Sequence, residues 1–99
     1  MALLNDIKLA LRISHNLLDT EIQSEITSAR QEMIRAGVDS TVANGLKTGT
    51  VELVEEAIKA YVLGNHERDV RMAERYEISF RYQLDNLRKS YPAEVSTNV

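Results

Sequence analysis

Two histidines, His15 and His66, are the first residues to consider for acid–base or metal chemistry, because imidazole titrates near neutrality. Neither stands at a ligand spacing such as H-E-x-x-H, in which two imidazoles share one helix face around an ion. His66-Glu67 is only a dipeptide, and both histidines read as solvent-exposed turn residues. The absence of cysteine removes thiolate metal sites, Cys nucleophiles and a disulfide scaffold. No serine lies in G-x-S-x-G or S-x-x-K. The glycines Gly37, Gly45, Gly49 and Gly64 form neither G-x-G-x-x-G nor a phosphate-binding loop. Glu52, Glu55 and Glu56 cluster, but they read as one solvated helix face. With no activated nucleophile and no acid–base pair, the expectation is a protein that is not an enzyme and carries no cofactor or metal.

Contact chemistry is better represented. Towards the C-terminus Arg71, Arg75, Arg81 and Arg88 interleave with Tyr76, Phe80, Tyr82 and Tyr91. Arg and Tyr combine large contact area with directional polar groups, which enriches them at protein interfaces. Ile78 and Tyr82 fall off the main apolar stripe of this segment. They serve either a second, subunit-binding face or packing against the first helix. The residues expected to carry contacts are Arg75, Ile78, Arg81, Tyr82, Arg88 and Tyr91. Asn44, Gly45 and Lys47 join them from a loop whose length suits partner binding.

The elements that must position these residues are helical. Leu18, Ile22, Ile26, Ala29 and Met33 recur every three or four residues, which predicts a long helix over 16–37. Asn16 or Asp19 would cap it and Gly37 would end it. Residues 3–13 predict a short helix with Leu4, Ile7 and Leu11 on one face, capped near Asn5 or Asp6. Ser14-His15-Asn16 forms the turn between these two helices. A third helix covers 51–64, with Thr50 as cap, Val51, Val54, Ile58 and Tyr61 facing inward, a Glu55–Lys59 pair, and Gly64-Asn65 as stop. The fourth and longest pattern covers 67–91, with Met72, Tyr76, Phe80, Leu84 (or Gln83), Leu87 and Tyr91 as its stripe. Opposite charges recur four apart at Glu67–Arg71, Glu77–Arg81, Arg81–Asp85 and Asp85–Lys89, and Pro92 ends the helix. Residues 38–50 are the one irregular stretch. They read as a crossover, with a small β-hairpin at Asn44-Gly45 as the other option. The fold class expected is therefore all-α: a compact bundle of four helices, two long and two shorter, in one domain over 1–91. A flexible tail is expected over 92–99.

Composition agrees. Ninety-nine residues with 43% hydrophobic content suit one folded domain with a mainly aliphatic core. The formal net charge is −3, and no third of the chain is net basic. Gripping of phosphates as a main activity is therefore not expected. No apolar run approaches the roughly eighteen residues of a membrane span. The start lacks the basic leader and cleavage site of a signal peptide, and an intracellular, soluble protein is the expectation.

The order of the pieces resembles a known family. Ile7-Lys8 and Leu11-Arg12-Ile13 match an opening I-K-x-x-L-R-I helix. Leu18-Asp19, Ile22, Ile26 and Ala29 match the long helix that follows, and Ala57-Ile58 with Tyr61-Val62 match a later one. Over residues 3–65 this is similar to the head–tail connector, or adaptor, family of tailed phages, small all-α proteins associated with DNA packaging. The resemblance implies a structural protein of a virion or prophage, made in the bacterial host cytoplasm and resident at the head–tail junction. It implies a closed ring of about a dozen copies, docked on the portal protein and extending its channel toward the next tail or stopper protein. DNA would pass through the lumen without being held.

Two other classes compete. A small helix-turn-helix regulator would use the turn at Ser14, but its recognition helix would present Asp19, Glu21 and Glu25 where phosphates lie. A helical protein–protein interaction module of unrelated role is the third.

Overall fold

The computed structural model describes residues 2–93, and among them five helices and no strand. α1 is Ala2–Leu11, α2 Asp19–Ala36, α3 Ser40–Ala43, α4 Val51–His66 and α5 Val70–Ser90. The all-α class stands, with two corrections. There are five helices rather than four, and residues 38–50 hold the one-turn α3 in place of a hairpin. The reason is local: the Asp39 carboxylate accepts the Val42 backbone N–H at 3.4 Å, capping a helical turn before Asn44-Gly45.

One continuous core joins all five helices. α2 contributes Ile22, Ile26, Ala29 and Met33, all buried as their spacing requires. α1 adds Leu3 and Ile7, α4 adds Val54, Ala57, Ile58 and Val62, and α5 adds Phe80, Leu84 and Leu87. Leu4, Leu11, Leu18 and Tyr61 pack half-buried around that centre. α5 lies chiefly along α4, where the Tyr61 and Phe80 rings meet edge-to-face with centroids 5.0 Å apart. Gly64, expected to stop α4, instead lies inside it. A Cβ at Gly64 would stand 3.1 Å from the Tyr76 Cβ, so its bare backbone lets α5 approach.

The helix ends depart from expectation in detail. α1 and α2 close with the same pair of backbone bonds. Ile13 N–H and Arg12 N–H reach back to Lys8 and Leu9, and Val38 N–H and Gly37 N–H reach back to Met33 and Ile34. The left-handed residue is Gly37 at φ 109 in the second case but Arg12 at φ 59 in the first. Asn5 and Asp6 lie within α1 rather than ahead of it. The start of α2 has no side-chain cap: the Asn16 Oδ1 accepts from Lys8 Nζ instead, and Lys8 also pairs with Asp19 at 2.7 Å. Thr50 is buried, and its hydroxyl donates to the Lys47 carbonyl rather than capping α4. Asp69, expected inside the last helix, is instead the cap of α5, accepting from the N–H groups of Arg71 and Met72.

The end of α5 is clasped to the end of α2. Asp39 N–H donates to the Tyr91 carbonyl at 2.9 Å, Ala93 N–H donates to the Gly37 carbonyl at 2.8 Å, and Val38 and Pro92 form an isolated antiparallel bridge. Pro92 and Ala93, expected in the tail, are thus tied to the domain. The rest of the expected tail, 94–99, lies outside the described residues.

Candidate interaction surface

At about 100° per residue, Phe80, Leu84 and Leu87 occupy one side of α5, and Arg75, Ile78 and Tyr82 occupy the opposite side within an arc of about 60°. The burial follows this geometry. Ile78 and Tyr82 are 63% and 68% exposed, whereas Phe80, Leu84 and Leu87 are buried. Of the two roles open to Ile78 and Tyr82, packing against α1 is therefore not the one they play. Arg75 is exposed beside them. Next to this stripe runs a shallow groove of about 150 Å³ between α4 and α5, lined by Leu53, Gln83, Asn86, Leu87, Ser90 and Tyr91. Leu53 is itself 52% exposed. Ile78, Tyr82 and Leu53 thus leave large apolar side chains exposed among polar neighbours, a composition that suits a protein contact.

The other expected contact residues divide by what already holds them. Arg81 flanks the stripe and bonds Glu32 on α2, Nη1 to Oε2 at 3.3 Å, instead of pairing along its own helix with Glu77 or Asp85. Its guanidinium also lies 5.8 Å from the Phe80 ring centroid. Arg88 pairs with Asp85, and its methylenes lie against the bare backbone of Gly37. Lys89 bonds the same carboxylate at 2.9 Å, so Asp85–Lys89 is the one expected pair of α5 that forms among the described residues. Lys89 and Arg88 together hold the Asp85 carboxyl below its usual range. Tyr91 is half-buried against the core, with the Lys47 ammonium 5.6 Å from its ring centroid. It is a packing residue more than a free contact.

Asn44, Gly45 and Lys47 follow α3 at the surface. Gly45 takes φ 73, and a Cβ there would stand 3.3 Å from the Arg30 guanidinium. Arg30 reaches from α2 to donate to the Ala43 carbonyl at 2.7 Å. Burial lowers its pKa, and the Glu55 charge works in the opposite sense. The loop is therefore anchored by Arg30 and by α3, not an unsupported crossover. The Glu55–Lys59 pair expected in α4 does not form: Lys59 lies 3.5 Å from Glu56 and 3.9 Å from Asp6 of α1.

His66 is the clearest departure. It closes α4 and turns back onto α2, where its Nε2 stands 2.7 Å from Glu25 Oε1 and 3.8 Å from Glu21 Oε2. Its side chain is 17% exposed, so it is not an open turn residue. Glu25 lies 41 positions away, and only the packing of α2 against α4 brings the two together. The sequence did carry one signal, the Glu21/Glu25 pair spaced four apart on a single helix face. His15 is exposed as expected, its Nδ1 accepting the Leu17 N–H at 3.2 Å.

Among the described residues, no helix is long and apolar enough to cross a membrane. Comparison with protein-family models, with curated proteins and with solved structures finds no match for this chain.

Proposed function

We propose that this chain is a structural head–tail connector of a tailed phage or prophage. Copies would associate into a ring that docks on the portal and continues the DNA channel toward the tail or stopper protein. The observation that carries this reading is the outer stripe of α5, where Arg75, Ile78 and Tyr82 stand exposed directly opposite a complete core. Their placement costs the monomer apolar exposure without any packing gain, which a subunit contact would recover. A head-to-tail contact repeated by rotation closes a ring. The molecule, 50 × 29 × 21 Å, is elongated enough to form one wall segment of such a ring.

Charge supports a channel that lets DNA pass. With a net charge of −3, a lumen built from this chain would not neutralise phosphates and so would not retain the duplex. The same argument disfavours a helix-turn-helix regulator. Asp19 at the start of α2 is already paired with Lys8, Glu25 is turned onto His66, and the exposed Glu21 would repel phosphates. The α1–α2 connection also runs from Arg12 to Leu18, longer than the three or four residues of that motif.

Negative-stain imaging of the concentrated protein, alone and mixed with portal complexes, tests the reading. Rings or portal-capping density are expected. A protein that stays monomeric and leaves portal complexes undecorated contradicts it.

A further inference from the structure

We propose that Glu21, Glu25 and His66 form a binding site for a divalent transition-metal ion of the zinc class, joining α2 to the end of α4. The three donor atoms come from two helices that are distant in sequence, and all lie within 4.8 Å of one another. Two ligands held about 2.1 Å from one ion stand about 3.0–3.4 Å apart. The imidazole-to-carboxylate separations of 2.7 and 3.8 Å bracket that span, so small rotations of flexible glutamate side chains bring all three onto a common centre.

The chemistry of the donors selects the ion. One imidazole nitrogen with two carboxylates suits zinc, cobalt or manganese, whereas calcium takes six to eight oxygens and magnesium retains its waters. Three protein ligands leave a coordination position for solvent. The geometry supplies an entry path. His66 and Glu25 are shielded, at 17% and 20% exposure, while Glu21 stands at the mouth at 58%. A divalent charge also answers the electrostatics of two carboxylates brought together one helical turn apart, an arrangement that repels when nothing positive lies between them.

Calorimetric titration of the untagged, chelator-treated protein with zinc chloride tests it, alongside cobalt(II) absorption as a spectroscopic readout. One ion per chain is expected, with visible cobalt bands and a Tm raised by roughly 10–20 °C when free zinc exceeds Kd about a hundredfold. His66→Asn and Glu25→Gln should each weaken binding at least about tenfold. Glu21→Gln, at an exposed position that leaves the fold intact, should weaken it as well, so the test survives if the two half-buried variants misfold. His15→Asn should bind as the wild type does. The chain has no cysteine to compete for the metal. No saturable uptake, unchanged uptake by Glu21→Gln, or loss of uptake by His15→Asn would overturn the site. A simple Glu25–His66 hydrogen bond would then be the whole arrangement.

Discussion

Arg81 of α5 reaches across to Glu32 of α2, Nη1 to Oε2 at 3.3 Å, while Arg35 grips the same carboxylate from its own helix at 2.7 Å. One carboxylate thus ties the long scaffold helix to the helix that carries the proposed contact stripe. Both arginines are largely exposed, and solvent screening leaves such exposed pairs contributing little to stability. The relationship orients α5 more than it stabilises the domain.

Arg81→Glu places two carboxylates together at that point. Thermal melts should show a loss within about 1 kcal/mol, because the pair is exposed. Sedimentation of the same variant should show impaired assembly, since Arg81 borders the stripe. Normal assembly would remove Arg81 from the contact.

The pH response of this junction has a definite sign. Hydrogen bonds from Arg35, the larger influence, and from Arg81 hold the Glu32 carboxyl below its ordinary range. Folding therefore favours its ionised form. The contribution is present at neutral pH and fades as pH falls below roughly 4, through the lowered value. The wild type should be slightly more stable than Glu32→Gln at pH 7, with the gap closing toward pH 3. A gap independent of pH would contradict the assignment.

Ile26 and Ile78 are the same residue type in opposite surroundings, at 3% and 63% exposure. Ile26→Asp buries an unpaired charge and should cost several kcal/mol, at least about 3. Ile78→Asp should leave the melt within about 0.5 kcal/mol of wild type. Equal melts for the two variants would mean that the α2 stripe is not the core.

Tyr91 and Tyr82 divide in the same way. Tyr91→Ala removes a half-buried ring under Lys47 and should cost about 1–3 kcal/mol. Tyr82→Ala should be neutral in stability and costly in assembly. Denaturant melts paired with sedimentation separate the two roles, and a neutral Tyr91→Ala would return that residue to the interface.

Why some of this was legible in the sequence and some was not follows from the range of the interactions. The α2 stripe and its end at Gly37 are local, set by a 3.6-residue period and one left-handed position, and they appear where the spacing puts them. The outer face of α5 was legible too, because Ile78 and Tyr82 break the period that Phe80, Leu84 and Leu87 keep. Charge partners were legible only at Asp85–Lys89. Lys59 meets Glu56 one turn away on α4 and Asp6 across on α1, not Glu55, and Arg81 meets Glu32 across on α2, because tertiary packing brings other helices' carboxylates within reach. Turn chemistry left 38–50 open between a crossover and a hairpin at Asn44-Gly45, and neither option foresaw the helical turn that the Asp39 cap sets. The His66 cluster needed α2 and α4 packed side by side, which no local pattern encodes.

Native mass spectrometry of the wild type and of Ile78→Asp, each at about 100 µM protomer, reads the proposed α5 contact itself. At that concentration a contact with Kd near 1 µM, about −8 kcal/mol, is saturated. A closed oligomer of one subunit number is expected for the wild type, and a folded monomer for Ile78→Asp. A monomeric wild type, or the same oligomer from both proteins, would contradict it.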